Sequence, residues 1–327
     1  MDGREHYSFI LTASIAPLLG VLAAAVLLWD RMVGPADLVA FVVMYVVAGL
    51  GVSTGYHRLL AHRSFETYRP LRVFFASAGA MAGQGPPLIW TAHHRRHHRV
   101  ADKPGDPHSP YLDEEPGIRG AIKGLWHAHL GWLFDKKLSS DPIRYCPDLA
   151  RDKDMRVISR YFLAFVAAGI VLPGLIGLAI TGTWEGFVTA ALWGGLVRFF
   201  FSNHITYAVN SIGHYFGRRR FETPDESRNV AWLSVLSFGE SWHNNHHAFP
   251  RSARHGLAWW EVDISAMVIR VLAATGLAWN VVTIDEERMT RRAEGLKRVG
   301  GGRAATAQPP RPLAERTDTL VGAADVE

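Results

Sequence analysis

Charged and apolar positions are segregated along this chain. Phe9 to Trp29 and Leu38 to Tyr56 are runs of 21 and 19 residues without a charge, Tyr161 to Thr183 is a third, and Gly186 to Tyr207 is a fourth broken only by Arg198. About 20 apolar residues in a helix cross the ~30 Å hydrocarbon layer of a bilayer. The pattern predicts an all-α integral membrane protein with four transmembrane helices in two hairpins, at about residues 9–29, 38–56, 161–183 and 186–207. Leu71 to Trp90 is weaker: it holds Arg72, several glycines and Pro86-Pro87, and is expected to pack in protein or lie at the interface. Leu257 to Trp279 mixes tryptophans and aliphatics with Glu261, Asp263 and Arg270, which suits an interfacial or capping helix better than a fifth span.

Basic residues orient the spans, because they are retained on the cytoplasmic side. The short connections after the first and third runs hold one arginine and none, whereas His57 to Arg160 holds 17 of the 35 lysines and arginines and the part after His204 holds 15. Both termini and the active site are therefore expected in the cytoplasm, with cytoplasmic segments at about 57–158 and 208–290 forming a helical cap. A helix is expected across Ala231 to His247. Residues 1–290 read as one domain, and 291–327, rich in Gly, Ala, Pro and charge, as a disordered tail. The first run exceeds a signal-peptide core and follows Asp2 and Glu5, so it reads as a retained anchor. Cys146 is the only cysteine, which excludes an internal disulfide and a thiolate cluster. No nucleic-acid partner is expected.

Sixteen histidines bring in the chemistry. His94, His97 and His98 stand at i, i+3 and i+4, and so do His243, His246 and His247, which puts each trio on one helical face. Neighbouring members of a trio diverge by about 100°, too far for one ion but suited to two adjacent ones. His57 and His62 follow the second run, and Asn210 and His214 the fourth, so all nine histidines fall close to one membrane surface. Imidazole without thiolate suits iron, copper or zinc, nine imidazoles exceed a structural zinc site, and paired open ions suit dioxygen activation. The expectation is a histidine-rich centre of two Fe ions. Asp102, Asp106 and Glu240 lie close enough to accept imidazole N–H groups. His93 and His108 adjoin the first trio and could hydrogen-bond a ligand or a carboxylate, while His6, His127, His129, His204 and His255 read singly as surface or packing residues or as supports for a ligand.

These residues resemble a known family, the membrane acyl-CoA desaturases of the stearoyl-CoA (Δ9) type, from the first run to about Trp279. The resemblance is carried by His57-Arg-Leu-Leu-Ala-His62-Arg-Ser-Phe, Trp90-Thr-Ala-His-His94-Arg-Arg-His97-His98, Gly105-Asp-Pro-His-Ser-Pro110, Asn210-Ser-Ile-Gly-His214 and Trp242-His243-Asn-Asn-His246-His247-Ala-Phe-Pro250. Ser241 stands where the family often has glycine. The resemblance implies a mushroom-shaped fold, two irons bound by His57, His62, His94, His97, His98, His214, His243, His246 and His247, and Asn210 holding a water on one of them. It implies insertion of a cis double bond, at Δ9, into a saturated long-chain acyl-CoA, with O2 reduced to water. Two of the four electrons come from the substrate. The other two need a separate donor, ferredoxin, rubredoxin or cytochrome with an NAD(P)H reductase, since the chain has no nucleotide fingerprint or thiolate cluster. By the same resemblance Gln84 and Trp90 border the acyl tunnel, and Arg95, Arg156 and Arg160 are candidates to meet the phosphates of coenzyme A.

Two other readings compete. A di-iron membrane hydroxylase acting on an alkyl or acyl chain would share the histidine boxes. A metal transporter would carry histidines within its spans, and of the four runs only the last holds one, His204.

Overall fold

The computed structural model describes residues 10–28, 33–112, 116–135 and 138–300, the last seven by backbone alone. The architecture is helical, and among the described residues the strands are a two-residue pair, Glu66–Thr67 against Ala278–Trp279, antiparallel with Glu66 opposite Trp279. Among the described residues two helices are long and apolar enough to cross a membrane, Pro35–Ala61 and Phe162–Thr181. The first apolar run forms a shorter apolar helix, Thr12–Val26, and its ends at 9 and 29 lie outside the described residues. The fourth run lies within a continuous helical stretch composed of Trp184–Ala191, Leu192–Val197 and Arg198–Tyr215.

Local chemistry explains the boundaries. Pro35 opens its helix with φ already helical, and the Asp37 carboxylate accepts the Gly34 N–H at 3.0 Å. Gly182 ends Phe162–Thr181 in the left-handed region, at φ 68°, and Thr183 caps the next helix by accepting the Gly186 N–H at 3.1 Å. That two-residue reversal is the tight hairpin the sequence predicts. Helices Ala16–Leu28, Pro35–Leu50 and Phe162–Thr181 all pack on the irregular segment Leu192–Val197. Gly194 permits close approach, since a Cβ there would meet Pro173 and the Ala40 backbone.

The weak run 71–90 folds as a re-entrant pair, Arg69–Ala80 and Pro87–Val100, joined by a turn with Gly83 and Gly85 at φ 73° and 111°. Phe75, Ala76, Ala78 and Ala80 are buried, so the pair packs in protein. Two expectations need correction. Helix does not extend across 231–247: a single 3-10 turn, Ala231–Leu233, precedes a short helix, His243–Ala248, because Phe238 and Gly239 reverse the chain at φ 56° and 98°. Nor is the tail irregular from 291, since a helix runs Glu286–Gly300. The Asp285 carboxylate accepts the Arg288 N–H at 2.7 Å at its start, and Arg291 pairs with Glu287 one turn on. Residues 301–327 lie outside the described part.

Candidate metal centre

The nine boxed histidines converge, and their ligand nitrogens fall into two groups. His57, His62, His94, His98 and His246 form one, and His97, His214, His243 and His247 the other, with the ligand atoms of each group all within 4.8 Å of one another. Each H-x-x-H-H trio is therefore split: its i, i+4 pair serves one group, its middle histidine the other. His94 and His98 lie 4.6 Å apart between ring centroids and His243 and His247 4.4 Å, whereas the i, i+3 neighbours are 6.3 and 5.9 Å apart.

His57 and His62 need a different device, because residues five apart on an α-helix point about 140° away from each other. The segment that carries His57, Gly51–Ala61, is a π-helix, and the His62 N–H bonds the His57 carbonyl at 3.0 Å. That i→i+5 pattern brings the two rings together edge to face, 4.8 Å between centroids and 83° between planes.

Carboxylates set the imidazole tautomers. Nδ1 of His97 donates to Asp106 at 2.9 Å, of His214 to Asp102 at 2.8 Å and of His247 to Asp225 at 2.9 Å, and His57 pairs through Nδ1 with Glu240. With Nδ1–H committed, Nε2 is left as a bare lone pair. The Nε2 atoms of His97 and His247 face each other at 3.4 Å, both in this state. Two opposed lone pairs in a buried site repel, and a cation between them removes the conflict. The donor set thus fits bound metal, all nitrogen, thiolate-free and backed by carboxylates.

Electrostatics agree. Burial drives His62, His94, His98, His243 and His246 well below the usual imidazole range, so they stay neutral and available as ligands. Burial also lowers His247, to about 4, against the opposing pull of Asp225. His214 is the exception: Asp102 outweighs burial and raises it to about 9, so a metal binding there must displace its Nε2 proton. Asp102, Asp106 and Asp225 resist their own desolvation through the facing imidazoles and remain carboxylates.

Asp102 adopts a left-handed backbone, φ 58°, that lets its carboxylate accept from His214, from the Ser109 hydroxyl at 2.6 Å and from the Glu226 N–H at 2.8 Å. All three carboxylates expected from the sequence, Asp102, Asp106 and Glu240, sit beside boxed histidines. Two partners were not foreseen, Asp225 and Arg58, while His255 takes the supporting role that was one of its readings. Asp225 holds His247 from a distant loop; buried Arg58 pairs with Asp263 at 3.0 Å and Glu240 at 3.3 Å; buried His255 lies 3.5 Å from Glu240. Arg58 is a charge inside an otherwise apolar, histidine-bearing stretch, whereas nothing local in the charged segment around Asp225 marks it.

An apolar slot opens on the first group. His57, His94, His243, Asn210, Gln84 and Trp90 line its inner part, and Tyr45, Gly49, Leu236 and Phe238 its far part. Gln84 donates to Thr206 at 2.9 Å and accepts from the Trp90 indole at 3.4 Å, while Trp90 stacks on His94, 5.1 Å between centroids. The arginines fare differently. Arg95 is turned inward, donating to Asp148 at 2.6 Å and to the carbonyls of Leu60 and Ala61 at 2.9 Å. Arg156 and Arg160 are exposed on the helix Lys153–Arg160, and neither lines the slot.

A helical protein with two abutting polyhistidine sites at the head of an apolar slot defines a class: enzymes that oxidise long alkyl chains at a histidine-held metal pair. The comparison with known proteins is consistent, as the fatty acid desaturase model matches residues 8–281. The chain belongs to the fatty acid desaturase family, O2-dependent oxidoreductases of lipid metabolism that act on an acyl substrate with an electron donor. It is 41% identical over 284 residues to the hex-5-enoyl-(acyl-carrier protein) acetylenase of Moorena producens (strain JHB), covering 86% of this chain and 87% of the relative. It is 39% identical over 252 residues to the sn-1 stearoyl-lipid 9-desaturase of Anabaena variabilis, covering 76% and 85%. With Delta-9 acyl-lipid desaturase 1 of Arabidopsis thaliana it shares 40% identity over 259 residues, 79% of each chain.

Proposed function

We propose that this chain is a four-span membrane enzyme that places a cis double bond at Δ9 of a saturated long-chain acyl group, with both termini and the metal centre in the cytoplasm. Residues 1–290 act as one catalytic domain. His57, His62, His94, His98 and His246 hold one iron, and His97, His214, His243 and His247 the other, where Asn210 presents a water. The observation that carries this reading is the split of the nine nitrogens into two abutting groups beside an apolar slot. Bound iron would supply the oxidising power that breaking an unactivated methylene C–H bond requires and no side chain can provide.

The chain's own residues do the rest. Asp102, Asp106, Asp225 and Glu240 hold the imidazoles in the ligating tautomer. Gln84, Thr206 and Trp90 shape the slot where the acyl chain passes His94, and the apolar wall keeps water from the reacting carbons. Tyr45, Gly49 and Phe238 close its far part, which sets how much chain extends past the centre. Reducing equivalents come from a separate ferredoxin, rubredoxin or cytochrome.

For the acyl carrier the geometry favours a lipid over coenzyme A. A coenzyme A headgroup needs free cations at the mouth, yet Arg95 is spent on Asp148 and two carbonyls and Arg156 and Arg160 lie off the slot. Two of the relatives named above are acyl-lipid desaturases, which points the same way. The test is expression in a host without desaturases, with fatty acids from separated phospholipid, acyl-CoA and acyl-carrier-protein pools identified by mass spectrometry. Δ9-unsaturated chains appearing first in the lipid pool are expected. Hydroxylated chains would establish the hydroxylase reading instead, and first appearance in the acyl-CoA pool would return coenzyme A as the carrier.

A further inference from the structure

Arg198 is the one charge in the fourth apolar run, and its side chain is fully buried. A cation in such a place is retained for a reason that its surroundings should reveal. Its guanidinium lies over the Phe199 ring, 4.1 Å from the centroid, and donates to three backbone carbonyls: Nε to Gly194 at 3.1 Å, Nη1 to Met81 at 3.1 Å and Nη2 to Gly169 at 3.0 Å.

Each of those carbonyls is unsatisfied by regular helix for its own reason. Gly169 stands four residues before Pro173, which has no N–H to return to it. Gly194 lies in the π segment Leu192–Val197, where the bonding register slips by one. Met81 is the residue that ends the helix Arg69–Ala80 and begins the re-entrant turn. In an apolar interior an orphan carbonyl costs several kcal/mol. One planar fork thus ties together the third run, the fourth run and the tip of the re-entrant pair. The packing is built around it: a Cβ at residue 169 would come within 2.7 Å of the Met81 oxygen and 3.3 Å of Arg198 Nη2.

The turn so held is the one that shapes the slot. Ala82 lies next to Met81 and lines it, Gln84 follows two residues on, and Gln84 joins Thr206 to Trp90, which stacks on His94. We propose that Arg198 is a positioning residue for the oxidation: by fixing the Met81–Gln84 turn it sets which carbon of the acyl chain lies against the metal centre. The inference rests on the desaturase reading given above.

The test uses the full chain in the membranes of a desaturase-free host, reading double-bond position by mass spectrometry and iron per chain by elemental analysis. The wild type is expected to make one positional isomer. Arg198→Met should keep wild-type iron and raise the fraction of neighbouring isomers about tenfold, the factor that one charge-assisted hydrogen bond represents. Arg198→Lys, with a cation but no fork, should fall between the two. Gly83→Ala reaches the same turn without touching a charge, since Gly83 sits at φ 73°, and should spread the isomers likewise. A purely structural arginine would lower the amount of iron-loaded protein and leave the isomer unchanged. A single unchanged isomer from Arg198→Met overturns the proposal, and if that variant does not accumulate, the same result from Gly83→Ala does so. Absence of any double bond from the wild type would instead defeat the desaturase reading.

Discussion

Single side chains decide whether nine histidines make a metal centre or a cluster of competing bases. The carboxylate behind an imidazole commits one nitrogen as a donor and turns the other into a ligand, and it adds negative charge close to the cation. Asp225 does this for His247, itself supported by the Thr223 hydroxyl at 2.9 Å and the Ser227 N–H at 3.0 Å. Asp225→Asn keeps the shape and removes the charge. It is expected to weaken iron retention about 10–100-fold, the usual effect of losing such a partner. Elemental analysis against rising chelator should show iron falling toward one per chain while circular dichroism stays at wild type; retention equal to wild type would mean that the charge is idle. Asp102, Asp106 and Glu240 were legible because they stand a few residues from a box. Asp225, 22 residues from its histidine, was not, since nothing local marks a loop carboxylate as an imidazole partner. Arg95 is the opposite case: from the sequence it reads as a phosphate ligand, and nothing in the sequence announces the Asp148 carboxylate beside it.

Among elements, the π segment Gly51–Ala61 does what periodicity did not foresee. The H-x-x-H-H trios were legible because α-helical spacing already puts them on one face, but His57 and His62 converge only once the helix is widened. Such widening is held in place by packing, not by propensity. Gly51 and Gly55 let the segment lie directly on the helix Arg69–Ala80: at Gly55 a Cβ would stand 2.9 Å from the Phe75 Cβ and carbonyl oxygen, and at Gly51 it would collide with the Gly79 and Ala78 backbone. Gly55→Ala must therefore push the two helices apart. Overpacking of this kind costs about 1–3 kcal/mol. The expected result is a lower midpoint of thermal unfolding in detergent together with loss of iron, because His57 lies two residues on. A stabilised, fully loaded variant would show that the segment is not pinned by this contact. The same dependence on contacts explains the missing helix across 231–242, where turn-forming Phe238 and Gly239 are held by a partner, Asp263, close to Gly239.

For the whole molecule, the decisive quantity is which surface remains once the site is assembled. Only 44% of the apolar window in Pro35–Ala61 and 28% of that in Phe162–Thr181 is buried by protein, so these helices are not the core of a soluble domain. Leu18, Leu19, Leu22, Val42, Leu163 and Leu175 are all exposed on these helices, an apolar coat that suits contact with lipid. That coat was legible in outline from the four uncharged runs, as was the packing of residues 71–90 in protein; the division of that stretch into two helices was not, because glycine, proline and Arg72 dilute its signal. The proposed four-span topology, with the histidines facing the cytoplasm, places the turn at Gly182 and Thr183 on the far side of the membrane from Arg156. Cys146 is the only cysteine and is fully buried, so introduced thiols can report position against a silent background. Glu185→Cys, on an exposed position of the helix after that turn, should react with a membrane-impermeant maleimide in intact cells. Arg156→Cys, also exposed, should react only after lysis. Labelling of both in intact cells, or the reverse order, would contradict the four-span arrangement and would remove the physical reason for placing the metal centre next to the cytoplasmic electron donor.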